Sequence, residues 1–128
     1  MEQKELWDAY DENFAIIPGI TLVRGEAVPQ GMFHLVCDII VRHEDGTYLL
    51  MQRDPRKMYG GMWEASAGGS ALKGEDALAC ALRELREETG IRASTLTHLG
   101  RTINRQHQSV YECFMCETSC AKDSITLQ

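Results

Sequence analysis

The sequence predicts a single α+β domain, a mixed β-sheet with one strongly marked helix packed on it. Three observations predict it. Residues 75–88 contain no Pro or Gly and are dominated by Ala, Leu, Arg and Glu, the composition of a helix. Met32–His43 and Tyr48–Arg53 are apolar runs on either side of Asp45-Gly46, the pattern of a β-hairpin. A chain of 128 residues, 44% of them hydrophobic, is long enough to enclose one core and too short for two.

In order along the chain, Glu5–Asp11 carries a mixed pattern and reads as an early strand or an irregular arm. The hairpin comes next. Asp54–Gly61 follows as a loop rich in turn formers and positive charge. Trp63–Ala67 reads as a short strand leading into Gly68-Gly69, and then comes the helix. Gly74 and Gly90 mark its ends, and Glu75 and Asp76 fall in its first turn, where the helix dipole favours negative charge. Leu78, Ala81, Leu82 and Leu85 recur at helical spacing as a core-facing stripe. Leu96–Arg101 and Ser109–Cys116 read as further strands. Trp7 and Trp63 are expected as core anchors, and His34 and His107 as packed or surface side chains rather than catalytic groups. No repeat or low-complexity linker interrupts this order.

Glu84, Glu87 and Glu88 are spaced i, i+3 and i+4, so they converge on one helix face. Clustered carboxylates repel one another unless a positive charge sits among them. A hard divalent cation with oxygen ligands, Mg²⁺ or Mn²⁺, supplies it, and such crowding raises a carboxyl pKa until the metal binds, so metal affinity should rise with pH. Arg83 adds a fixed positive charge beside the cluster. The bland alternative is a solvated acidic helix with surface salt bridges. It requires the flanking glycines, the separate Glu75 and the Arg83-Glu84 pair all to be coincidences.

Composition narrows the partners. The formal charge of −6 leaves no basic stripe for a phosphate backbone, which argues against nucleic acid. No apolar run approaches the roughly 20 residues of a membrane span and the N-terminus lacks a signal pattern, so a cytoplasmic protein without a membrane partner is expected. Five cysteines at irregular spacing suit reduced, packed thiols rather than a disulfide framework. Cys113-x-x-Cys116 with Cys120 suggests zinc only weakly, since a fourth ligand is missing and residues three apart in a strand face opposite sides.

Residues 69–91 fit the pattern G-x5-E-x7-R-E-U-x-E-E-x-G-U (U apolar) without a departure: Gly69, Glu75, Arg83, Glu84, Leu85, Glu87, Glu88, Gly90 and Ile91. At typical residue frequencies such a match falls in about one random window in a billion. The segment resembles the box of the Nudix hydrolases. The resemblance implies the Nudix fold, a Glu75–Arg83 pair that orients the ligands, and a cation, Mg²⁺ or Mn²⁺, held by Glu84, Glu87, Glu88 and the Gly68 carbonyl. Glu84, Glu87, Glu88, Arg83 and Glu75 become the catalytic candidates for substitution at phosphorus in a small-molecule diphosphate. Which glutamate acts as general base stays open. Arg53 and Lys57, with Arg56, are candidates to hold a phosphate or a base; equally, they read as solvated loop charges.

Outside the box, Glu5–Glu12, Gly31–Val36, Gln52-Arg53 with Lys57, and Gly61–Glu64 resemble the Nudix branch related to isopentenyl diphosphate isomerase. Two departures matter. Those isomerases carry a catalytic cysteine after the tryptophan, where this chain reads Glu64-Ala-Ser-Ala-Gly-Gly69. Their domains also continue with a strand and a closing helix, which this sequence, ending at Gln128, lacks. A C-terminally truncated or shortened Nudix domain is therefore expected, with an uncovered sheet edge that favours homo-oligomers or aggregation, worsened by partly exposed thiols near Cys116 and Cys120. The leading expectation is hydrolysis of a nucleoside diphosphate linked to another moiety; an isoprenoid diphosphate isomerase and a non-catalytic nucleotide-binding module follow.

Overall fold

The computed structural model describes residues 4–57 and 59–125. The first three residues, Met58 of the basic loop and the tail at 126–128, all part of segments discussed above, lie outside them. The spine is β3, His34–His43. Its alternation places Leu35, Cys37, Ile39 and Val41 on a buried face, with Val36, Asp38 and Ile40 on the other. β9, Ser109–Thr118, runs parallel to β3 along all ten residues and repeats the alternation with Val110, Glu112, Phe114 and Cys116 inward. β8, Thr97–Asn104, pairs antiparallel with β9. The opposite edge of β3 is shared by two short strands, β7 (Ala67–Ser70) against Val36–Ile39 and β4 (Tyr48–Leu49) against Val41-Arg42. The result is a mixed five-stranded sheet, in keeping with the expected class.

The predicted hairpin forms around Gly46, at φ 91°, but its second arm is interrupted at Leu50 before β5, Met51-Gln52. The predicted strand 63–67 is likewise split into β6, Trp63-Glu64, and β7, and β5 pairs with β6. Ser66 explains both breaks. Its buried hydroxyl accepts from the Val41 N–H (2.7 Å) and donates to the Leu49 carbonyl (2.5 Å), replacing a ladder bond between three strands.

The helix α1 spans Ala77–Thr89. Asp76 is its N-cap, accepting from the Ala79 N–H at 2.8 Å, so Glu75 precedes the helix rather than sitting in its first turn. Gly90, in the left-handed region at φ 81°, closes it with a bond to the Arg86 carbonyl. The inward side chains are Cys80, Ala81, Leu85 and Thr89, with Ala77 and Leu82 partly covered, while Leu78 is 40% exposed, against expectation. Close approach of α1 to β7 sets the inner face through Ala77 and Ala81, and one residue step, about 100°, turns Leu78 aside. Among the described residues no helix is long and apolar enough to cross a membrane.

The N-terminal segment resolves as a strand, β1 (Leu6–Tyr10), paired with β2 (Ile16–Val23), which the sequence reading leaves unassigned. Pro18-Gly19 masks β2, because a proline and a glycine inside an apolar run read as a turn. The register jumps from Asp8–Thr21 to Ala9–Ile17, so the chain bulges out at that point. This ribbon holds the loop before α1: Asp8 accepts from the Gly74 N–H at 2.8 Å and the Leu6 carbonyl from the Lys73 N–H at 2.8 Å. After β9 the described chain makes one 3-10 turn, Lys122–Ser124.

Removing the N-cap in Asp76→Ala leaves the Ala79 donor without its partner and is expected to cost about 1 kcal/mol of stability. Urea denaturation checks this through the midpoint at unchanged slope, and an unshifted midpoint would show that the ribbon alone holds the start of α1.

Candidate active site

Arg83 lies at the centre of the site. Its Nε and one terminal nitrogen donate to both oxygens of Glu75 (2.7 and 2.9 Å), and the same terminal nitrogen reaches the Ser70 carbonyl at 3.1 Å. The other terminal nitrogen donates to Glu84 at 2.7 Å and to Glu87 at 3.2 Å. A planar fork with five donors is suited to such a junction. Glu75 also accepts from the Leu72 N–H at 2.8 Å. Although burial opposes it, these bonds hold the Glu75 carboxyl below its ordinary range, and Glu75 in turn raises the Arg83 pKa.

Gly68 and Gly69, expected to follow a strand, lie inside β7. Close approach requires them. A Cβ on Gly69 would stand 2.5 Å from the Glu84 carboxyl carbon, and one on Gly68 would stand 2.6 Å from Asp38 Oδ1. The two faces of β7 therefore carry different chemistry, Glu84 seated over one and Asp38 beside the other. Glu88 lines the same edge beside Gly68 and Gly69, near enough to Glu84 for the two carboxyls to bear on one another. Burial, then Glu84, then Glu64 push the Glu88 pKa up to about 7.

Of the three box carboxylates, the structure thus joins Glu84 and Glu88, while Glu87 turns outward to Arg83. Among the described residues no three His, Cys, Asp or Glu side chains converge as a ready cation cage. The i, i+3, i+4 spacing identifies the shared helix face but carries no information on which carboxylate Arg83 draws away.

An open cleft of about 490 Å³ starts at this edge and runs over the uncovered face of the sheet. Arg53 and Lys57 line it, as does Glu64, which accepts from Arg53 at 3.3 Å. Arg56 is not among the lining residues; it pairs with Asp54 at 2.8 Å. Val36, Asp38, Ser70 and Tyr111 form part of the floor and were not singled out from the sequence. The alternation of 34–43 already separates Asp38 from the buried set, which is the signal that points to it. Burial and Glu64 raise the Asp38 pKa.

The aromatic expectations divide. Trp7 is buried and stacks on His34 with ring centroids 4.1 Å apart, whereas Trp63 is 65% exposed rather than a core anchor. Trp63 alternates with Glu64 in a two-residue strand, so turning Glu64 to the cleft turns the indole away from it. His34 is packed against Ser109 and its pKa is lowered, chiefly by burial; His107 is exposed. The described cysteines are free thiols, with Cys116 buried rather than partly exposed.

Comparison with known proteins gives one family. The NUDIX domain model matches residues 32–122. An uncharacterised Nudix hydrolase of Listeria monocytogenes is 41% identical over 88 residues, 68% of this chain and 52% of that protein. The chain thus spans about half the length of the curated relatives it first matches. A crystal structure of a Deinococcus radiodurans protein superposes with a TM-score of 0.76 at 18% identity, covering 97% of this chain and 76% of the other. The NUDIX domain of Shewanella oneidensis NrtR, solved in complex with ADP ribose, gives 0.55 at 21% identity over 74% of this chain and 70% of the other. At these identities the structural likenesses show the fold, which is the Nudix fold.

The raised Glu88 pKa sets a sign for the metal-free protein. A carboxyl whose pKa moves from 4.5 unfolded to about 7 folded holds its proton more tightly in the folded state. Its stabilising contribution is full below pH 4.5 and is lost as pH rises through about 7. In chelator-treated protein the melting temperature is expected to fall over that window, and more steeply than in Glu88→Gln. Parallel profiles for the two proteins would remove Glu88 as the source.

Proposed function

The chain belongs to the Nudix family, and on that premise we propose that it hydrolyses a diphosphate linkage in a nucleoside diphosphate joined to another moiety, with Mg²⁺ or Mn²⁺ as cofactor. The observation that carries this reading is the proximity of the Glu84 and Glu88 carboxyls beside a cleft lined by Arg53 and Lys57. Two neighbouring carboxyls, one pushed towards neutrality by burial and then by the other, form an oxygen donor set that suits a hard cation. Glu84, Glu88 and the Gly68 carbonyl would hold it, with Glu87 joining when it leaves Arg83. Such a cation supplies neutralisation of the diphosphate and a more acidic water.

The chain's own residues do the rest. Arg83, anchored by Glu75 and the Ser70 carbonyl, keeps Glu84 over Gly69. Arg53 and Lys57 meet phosphate oxygens, as point charges and hydrogen-bond donors on a loop facing the cleft. In the reaction a water oxygen bonds to phosphorus, the bridging P–O bond breaks, and the water's proton passes to a cleft carboxylate. Isomerisation of an isoprenoid diphosphate needs a thiol at the cleft. None is among the residues that line it: Cys37 and Cys80 are fully buried between β3 and α1, and Cys113, paired with Asp38 on the open face, lies outside the lining.

Chromatographic detection of the phosphomonoester products from a panel of nucleotides, sugar nucleotides, dinucleotides and isopentenyl diphosphate, with Mg²⁺ and with chelator, tests the reading. Hydrolysis that disappears with chelator is expected, without conversion of isopentenyl to dimethylallyl diphosphate; isomer above the no-enzyme control would replace this reading with the isomerase.

Glu87→Gln keeps the shape and removes one charge from an exposed position, so the fold should survive. Turnover is expected to fall about 100-fold or more, the scale on which a disturbed metal site acts. Wild-type turnover at saturating Mg²⁺ would remove Glu87 from the site.

A further inference from the structure

Asp38 is a carboxylate with no hydrogen-bond or ion-pair partner among the described residues, although it sits half-buried on the cleft floor. Its surroundings form a track across the open face of the sheet. The cross-strand row Gly68, Asp38, Cys113, Gly100 has a glycine at each end. The adjoining row is Ser70, Val36, Tyr111, Thr102. A Cβ at Gly100 would meet nothing within 4 Å, so the trough is open at that end. The cleft at the other end, where Gly68, Asp38, Ser70, Val36 and Tyr111 line about 490 Å³, lies within the range of small-molecule sites.

Only one residue separates Asp38 from the phosphate end. Gly68 abuts Asp38 on one side and lies beside Glu88 in the same cleft. The group that meets Asp38 is therefore the one esterified directly to the diphosphate. An ionised Asp only accepts hydrogen bonds and repels another anion, so a phosphate is disfavoured there. A hydrocarbon offers no donor and would leave the carboxylate desolvated and unpaired. A sugar with a vicinal diol offers two donors at the spacing of one carboxylate, the pairing by which an acidic side chain reads a ribose hydroxyl in dinucleotide sites.

The geometry points to Asp38, on the glycine-flanked floor beside Gly68, as a specificity-determining residue that accepts hydrogen bonds from the sugar hydroxyls next to the diphosphate. This rests on the diphosphate reading above and narrows it: the substrate class is ribonucleoside diphosphate derivatives, with deoxy and isoprenoid diphosphates disfavoured.

The test is calorimetric titration with Mg²⁺ present, which needs no turnover. The probes are α,β-methylene ADP, its 2′,3′-dideoxy counterpart and α,β-methylene CDP, against the wild type, Asp38→Asn and Asp38→Ala, each first shown to be folded by its melting curve. Two hydrogen bonds to a charged acceptor should favour the ribose over the dideoxyribose probe about 100-fold in the wild type. That ratio should shrink to within about fivefold in Asp38→Ala, with Asp38→Asn between them, while exchanging adenine for cytosine has little effect on the Asp38 contribution. Equal affinity of the ribose and dideoxy probes for the wild type overturns the inference, as does binding of neither. A ratio that persists in both variants overturns it too, and an Asp38 effect that follows the base instead assigns the contact to the base. Failure of the hydrolase reading appears separately, as binding without cleavage of any substrate to phosphomonoesters.

Discussion

The seating of Glu84 over Gly69 is the constraint on which the rest of the molecule depends. It requires α1 to approach β7 more closely than any side chain on that strand would allow. The consequences spread outward from there. The helix face that meets the sheet begins with small residues, Cys80 and Ala81, with Leu85 buried a turn later, and Leu78 is displaced to solvent. β7 gives up side-chain packing at two positions and is held by pairing with β3 and by the Ser66 hydroxyl. The loop before the helix is tied to β1 through Asp8. Each of these costs local stability or demands an extra bond, and each serves the position of one carboxylate.

Electrostatics gives that position its meaning. A single guanidinium distributes its donors over Glu75, Glu84 and Glu87 and a backbone carbonyl, so the carboxylates nearest to it are neutralised in part. Glu88 has no share in Arg83, and its charge is the one left without compensation. Arg83 therefore orients the cluster without satisfying it. A hydrophobic replacement for the Arg83–Glu75 pair would fill similar space but would release Glu84, and a buried ion pair kept for such positioning is more informative about function than about stability.

What was legible in the sequence follows from how local the signal is. The helix, its caps and the Glu75–Arg83 pairing are encoded within residues 75–90, and the sequence reading places them to within a residue or two. The strands β3, β8 and β9 are legible for the same reason, as local runs of strand-forming residues. The errors concern choices made by distant partners. Trp63 looks like a core residue until pairing with β5 turns Glu64 to the cleft, and β2 looks like a turn because Pro18-Gly19 hides a bulge. Glu87 shares the spacing of a ligand, yet which of three glutamates Arg83 draws outward depends on side-chain geometry that no spacing encodes. The cleft floor was legible only as a face, since Asp38 and Tyr111 are 73 positions apart and meet through the parallel pairing of β3 with β9.

That pairing also separates chemistry from selection. The helix side of the sheet carries the carboxylates and the packing they require, so almost any substitution there disturbs the seating of Glu84. The open side carries Asp38, Val36 and Tyr111 on strands whose inward residues are already fixed by the core. Because successive strand residues face opposite ways, the floor can change without altering the buried set. A diphosphate bound at the shared edge would present its remaining moiety to that floor. On the proposed reading, selectivity would then reside in residues that contribute little to stability, and the reaction in residues whose packing the fold cannot spare.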